Sequence, residues 1–146
     1  MTKEKARRKR RRLTRPEKVV VALSILVLGL GLGNVIRVFV AVAGAGAMPD
    51  LPLSVSWTYL AVLSAIWGLA LIVCAAGLAW FKRWGRVAGL AAVTLYEAHV
   101  WVNHLLFDRS DYALQTRPWD LLFTLLLLAL TWGLLNLRRV RATLRA

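Results

Sequence analysis

Four apolar runs, each about long enough to cross a bilayer as a helix, take up most of this chain, at about residues 19–43, 57–81, 87–107 and 119–137. Crossing the hydrocarbon as a helix needs about 20 mostly apolar residues. The runs are apolar around their whole circumference rather than in one stripe. Only 18% of the residues are charged, against about a quarter in a soluble domain. The fold expected is an all-α integral membrane protein, an antiparallel four-transmembrane-helix bundle. Residues 14–146 form the helical domain, and residues 1–13 a disordered polybasic cytoplasmic tail. No length is left for a separate soluble domain.

Punctuation supports these limits. Thr14-Arg15-Pro16-Glu17 has the capping-box order, a hydroxyl at the cap and a carboxyl three residues on, with proline in the first turn. The first run is too long for a signal core, and Arg37 interrupts it, so it reads as a retained span rather than a cleaved leader. Residues 44–56 carry Pro49, Asp50 and Pro52 and read as a loop. Lys82 to Arg86 is a tight basic turn. Asp108 to Thr116 reads as the next connection, with the fourth helix starting near Thr116-Arg117-Pro118.

Charge placement gives the orientation. The N-terminal tail, the Lys82–Arg86 turn and the C-terminus hold 17 of the 20 Lys and Arg residues. The positive-inside rule then puts both termini in the cytoplasm, in a multi-pass protein of the plasma (inner) membrane. Trp57 and Trp119 fall at the outer interface, and Trp80, Trp84 and Trp132 at the inner one. Arg10, Arg11, Arg12, Lys82, Arg83, Arg86, Arg138 and Arg139 are expected to contact anionic lipid headgroups, at about 1 kcal/mol per charge near the surface. The net charge of +13 raises nucleic acid as a partner. No aromatic residues or folded module accompany the basic run, which disfavours it.

Small residues mark packing faces. Gly29 and Gly33 form a GxxxG pair whose ridge continues to Arg37 and Ala41, so this side of the first helix is expected to face protein. Ser64 and Gly68 lie on a small-residue stripe of the second helix, and Gly85 and Gly89 on one of the third.

The third run carries the chemistry. Tyr96, Glu97, His99, Asn103 and His104 occupy little more than two turns. A charged group at the centre of a span costs about 2.5–3.5 kcal/mol on insertion scales, so such residues mark function or a buried partner. Glu97, Trp101 and His104 share one face. Tyr96, His99 and Asn103 share another. Counted from the outer helix ends, Arg37 and Glu97 lie at similar depth. A buried Arg37–Glu97 pair is therefore the sharpest expectation, with Asn34 as a further hydrogen-bond partner. The alternative for Arg37 is to snorkel to the outer headgroups. The histidines raise haem, but His99 and His104 are five apart and project differently, so one helix cannot clamp a haem with both. Hydrogen bonds to neighbouring helices are the simpler role for the imidazoles, and no cofactor or metal is expected.

Other chemistries are excluded. Cys74 is the single cysteine, so an internal disulfide and dithiol redox chemistry are ruled out. There is no nucleophile with a base, no HExxH, no phosphate loop and no pair of carboxylates. In bare architecture, four short spans with one conspicuous intramembrane carboxyl, the chain resembles small multidrug transporters. That family has its essential glutamate in the first span. Here the first span holds Arg37 and the third holds Glu97, so no site residue carries over. The function expected is a non-catalytic structural or accessory membrane subunit that self-associates or packs against a larger complex. The alternatives are a small proton- or ion-coupled transporter using Glu97 with Arg37, His99 and His104, and a haem- or quinone-linked electron-transfer subunit.

Overall fold

The structure is a computed structural model that describes residues 13–48, 55–107 and 111–144, with the side chains of 111–113 left aside. It is all-helical: α1 (Arg15–Ala47), α2 (Trp57–Ala79), α3 (Arg83–Phe107), α4 (Asp111–Asn136) and a short α5 (Arg138–Arg141). Arg10, Arg11 and Arg12 lie outside the described residues.

The helix ends follow from local chemistry. At the start of α1 the Thr14 backbone N–H donates to the Glu17 carboxyl at 2.8 Å, the reciprocal half of a capping box, with Pro16 in the first turn. Ser56 caps α2, its hydroxyl accepting from the Tyr59 N–H at 3.2 Å. The end of α2 is a Schellman motif: Phe81 N–H donates to Leu78 C=O and Lys82 N–H to Gly77 C=O. That motif needs a left-handed residue, and Phe81 supplies it at φ 54°. A side chain there costs roughly 1–2 kcal/mol. Packing of the Phe81 ring against the core offsets the strain.

Paired residue numbers rise on one helix as they fall on the next, so the four long helices run antiparallel in sequence order. Between α1 and α2 the pairs are Ser24 with Ala75, Gly31 with Gly68, and Gly44 with Trp57. Between α2 and α3 they are Gly77 with Gly85, Trp67 with Tyr96, and Tyr59 with Asn103. Between α3 and α4 they are Arg86 with Asn136, Thr94 with Trp132, and Trp101 with Thr124.

The α1–α2 interface is the most extensive, because glycines let the backbones approach. A methyl group on Gly31 would lie 3.1 Å from the Ile72 nitrogen and 3.2 Å from the Gly68 carbonyl oxygen. The buried line on α1 is Val20, Leu23, Val27, Gly31, Asn34, Ala41 and Gly44. Gly29 and Gly33 are exposed, and a Cβ on either would meet nothing within 4 Å. The glycine pair expected to face protein therefore meets no other helix among the described residues. A helix this uniformly apolar gives no sequence signal of which side is inward, and the GxxxG spacing pointed one way while the packing went another. Gly68 and Gly85 do form close crossings, Gly89 meets Leu78 and Ser64 is buried.

One further expectation is corrected at the fourth helix. The helix begins at Asp111, not near Thr116, so Pro118 lies inside it. There the proline removes one internal hydrogen bond, which the second turn of a long helix can tolerate more readily than its middle. At the other end Leu137 leaves the helix with φ −57° and ψ 131°. The arginine-rich tail then turns back as α5 against α1, burying Val140 and Leu144 while Arg138 and Arg139 stay exposed.

By length and composition, three helices could cross a membrane: Arg15–Ala47, Trp57–Ala79 and Leu114–Asn136. α3 is long enough, about 38 Å at 1.5 Å per residue. Its run of Tyr96, Glu97, His99, Asn103 and His104 lowers its hydropathy.

Candidate functional site

The polar residues of α3 divide between two neighbours. Glu97, only 4% exposed, faces α4. Its carboxyl oxygen accepts from the Thr124 hydroxyl at 2.6 Å. The same Thr124 oxygen accepts from the Trp101 indole N–H at 3.0 Å. Trp101 and Glu97 are one helical turn apart, so a single threonine on α4 serves both. Thr94 repeats the pattern about a turn further along, accepting from the Trp132 indole of α4 at 3.0 Å while donating to its own Leu90 carbonyl. At the basic end Arg86 donates to the Asn136 side-chain oxygen at 3.0 Å. At the other end Arg117 of α4 donates to the His104 carbonyl at 2.9 Å. This satisfies one of the orphan carbonyls at the C-terminus of α3.

The opposite face of α3 looks onto α2. The Tyr59 hydroxyl donates to the Asn103 side-chain oxygen at 2.8 Å, and the Asn103 amide lies 3.0 Å from His99 Nε2. With the amide oriented in this way, a neutral His99 accepts at Nε2 and carries its proton on Nδ1. Trp67 of α2 holds the ring, with centroids 5.8 Å apart, and meets Tyr96 edge-on at 5.6 Å.

A cavity of about 460 Å³ opens between α1, α2 and α3. Arg37, Asn34, His99, Asn103 and His104 all line it, together with Tyr59, Ser64 and the aromatic walls Trp57, Trp67, Tyr96 and Phe107. Five of the six polar residues singled out from the sequence thus converge on one space. Glu97 does not line it.

The Arg37–Glu97 pair does not form. Among the described residues, Arg37 has no carboxyl partner, and Glu97 bonds to Thr124 instead. The two residues are at comparable depth, but Glu97 points around α3 toward α4, away from α1. Asn34 does not bridge them either. Its amide donates to the Leu30 carbonyl of its own helix at 2.9 Å.

The sequence reading missed Thr124 and Tyr59. A hydroxyl on an otherwise leucine-rich helix is a signal for an interhelical bond, and Thr124 is buried as such a role requires. Tyr59 carried no such sign, since tyrosine is common at helix ends near an interface. Among the described residues, no cluster of three His, Cys, Asp or Glu side chains could hold a metal ion. His99 Nε2 lies 3.0 Å from the Asn103 amide, and the His104 ring packs beside Trp101 at 5.7 Å. In comparisons with known proteins, the chain matches no family model, no curated protein and no solved structure.

Proposed function

We propose that the chain is a four-pass integral membrane protein acting as a non-catalytic subunit, which self-associates or packs against a larger membrane complex. The observation that carries this reading is how its polar side chains are used. Glu97, Trp101, Thr94, Trp132, Tyr59 and Asn103 all make bonds from one helix to another. Ser24 does the same, donating to the Ala75 carbonyl at 2.9 Å. None of these groups is set as a nucleophile beside a base.

The outward surface supports insertion. Ile36, Phe39, Leu69, Leu105 and Trp119 are each more than 60% exposed, a distribution water disfavours and hydrocarbon accepts. α3 then spans as the fourth helix, because its polar groups turn inward to α2, α4 and the cavity. Lys82, Arg83 and Arg86 at the α2–α3 turn share one end of the bundle with Arg138 and Arg139, since Arg86 bonds to Asn136 at the end of α4. That end is cytoplasmic in this reading, faces the anionic lipid headgroups of the plasma (inner) membrane, and carries both termini. The open ridge at Gly29 and Gly33 leaves backbone accessible for a second copy or another subunit to approach closely.

A tagged pull-down from native membranes in mild detergent, with mass spectrometry of the eluate, tests the proposal. A stoichiometric partner or a defined homo-oligomer is expected. A lone monomer with no partner would refute it. The cavity favours one second reading, a small transporter with Arg37, His99 and His104 along its path. Glu97 lies outside that cavity, which counts against a version coupled through this carboxyl.

A further inference from the structure

Arg37 sits on α1 about ten residues before the helix ends at Ala47, which is about 15 Å of helix. If α1 crosses a bilayer, the guanidinium lies well below the outer headgroups, where an unpaired charge is costly. Among the described residues, no Asp or Glu lines the cavity it faces. The donors there are the Arg37 guanidinium, the Asn103 amide with one hydrogen left after serving His99, and the Nδ1–H of a neutral His99, beside the Asn34 side chain and the Ser64 and Tyr59 hydroxyls. One cation, several donors and no acid make a site for an anion. The remaining walls, Trp57, Leu60, Leu63, Trp67, Val100 and Phe107, suit a hydrocarbon chain. The volume of about 460 Å³ falls within the roughly 300–1,000 Å³ of small-ligand sites.

We propose that this cavity binds an anionic membrane amphiphile, its carboxylate or phosphate head on Arg37 and its apolar chain between the aromatic residues of α2 and α3. The head neutralises the Arg37 charge, which has no acidic partner among the described residues. The chain covers apolar surface that would otherwise face water. The inference rests on the membrane-spanning reading of the helices.

The full chain is reconstituted in phosphatidylcholine nanodiscs and titrated with dibromostearate, with dibromostearyl phosphate and with the neutral dibromostearyl alcohol. Bromine quenches the fluorescence of tryptophans it touches, so filling the cavity quenches Trp57 and Trp67. Saturable quenching is expected for at least one of the two anionic probes, at concentrations at least tenfold below those the alcohol needs. Arg37→Gln is expected to weaken anion binding at least tenfold, about 1.4 kcal/mol, while Arg37→Lys stays within a few-fold of the wild type. Arg37 is exposed and makes no bond to another described residue, so circular dichroism of both variants should match the parent. Equal binding of alcohol and anions, or unchanged binding by Arg37→Gln, overturns the proposal. Displacement of the probe by inorganic phosphate at millimolar concentration overturns the amphiphile and leaves a free-anion site. Side-specific cysteine labelling of the same discs tests the membrane reading separately: four spans without quenching would refute the cavity proposal alone.

Discussion

Replacing Thr124 with valine keeps the shape and removes the hydroxyl, which tests whether Glu97 is held for packing or for chemistry. In the structure that hydroxyl donates to the Glu97 carboxyl at 2.6 Å and accepts from the Trp101 indole at 3.0 Å. Thr124→Val leaves both groups without this partner, and Glu97 is only 4% exposed, so little water reaches it. Hydrogen bonds between membrane helices average about 0.6 kcal/mol and reach about 1.7, since the unfolded state in lipid also finds partners. A buried group left orphaned costs about 1–3 kcal/mol. Two lost bonds and one orphaned carboxyl place Thr124→Val at about 2 kcal/mol of destabilisation. Glu97→Gln keeps an accepting oxygen in the same place, so its cost should stay below about 1 kcal/mol. Reversible unfolding in mixed micelles, followed by tryptophan fluorescence, measures both. If Glu97→Gln proves as damaging as Thr124→Val, the carboxyl does something an amide cannot do, and the packing account of Glu97 fails.

Two other substitutions follow from the same contacts. Gly31→Leu should cost about 1–3 kcal/mol by forcing α1 from α2, whereas Gly29→Leu and Gly33→Leu should stay within about 0.5 kcal/mol, because no neighbour lies within 4 Å of either. The same unfolding assay ranks them, and a large loss at Gly29 would place the packing face where the GxxxG spacing put it. Tyr59→Phe should cost about 0.5–1.5 kcal/mol through the lost bond to Asn103, and an unchanged midpoint would show that this bond contributes nothing.

Much of the architecture is legible in the chain because punctuation and charge are local signals. Thr14 and Glu17 announce the start of α1, and the Lys82–Arg86 turn ends one helix and opens the next. The division of α3 into a Glu97–Trp101–His104 face and a Tyr96–His99–Asn103 face follows from helical period alone; the structure turns Glu97 and Trp101 to α4 and the second face to α2, while His104 lines the cavity with His99 and Asn103. Azimuth is harder. Depth along two helices can be counted, as it was for Arg37 and Glu97, but which way each side chain points depends on how the helices rotate against one another. On α1 that rotation is set by the backbone approach of Gly31 to Gly68. A nearly uniform apolar helix does not advertise it. The start of α4 was obscured by Pro118, which is a stop signal in most contexts yet here lies inside a long helix. The return of the C-terminal segment was obscured by arginines around the two residues it buries, Val140 in α5 and Leu144 beyond it.

The proposed four-span topology requires α3 to cross the membrane despite its polar residues. Three helices meet the length and hydropathy expected of a span without it. Side-specific labelling of single cysteines tests this most directly. In a Cys74→Ala background, Arg83→Cys precedes most of α3 and Arg109→Cys follows its last residue, Phe107. In sealed vesicles of known orientation, a membrane-impermeant maleimide is expected to reach these two positions from opposite sides, Arg83→Cys from the cytoplasmic side. Labelling of both from the same side would mean that α3 does not cross, and the four-span account would be wrong.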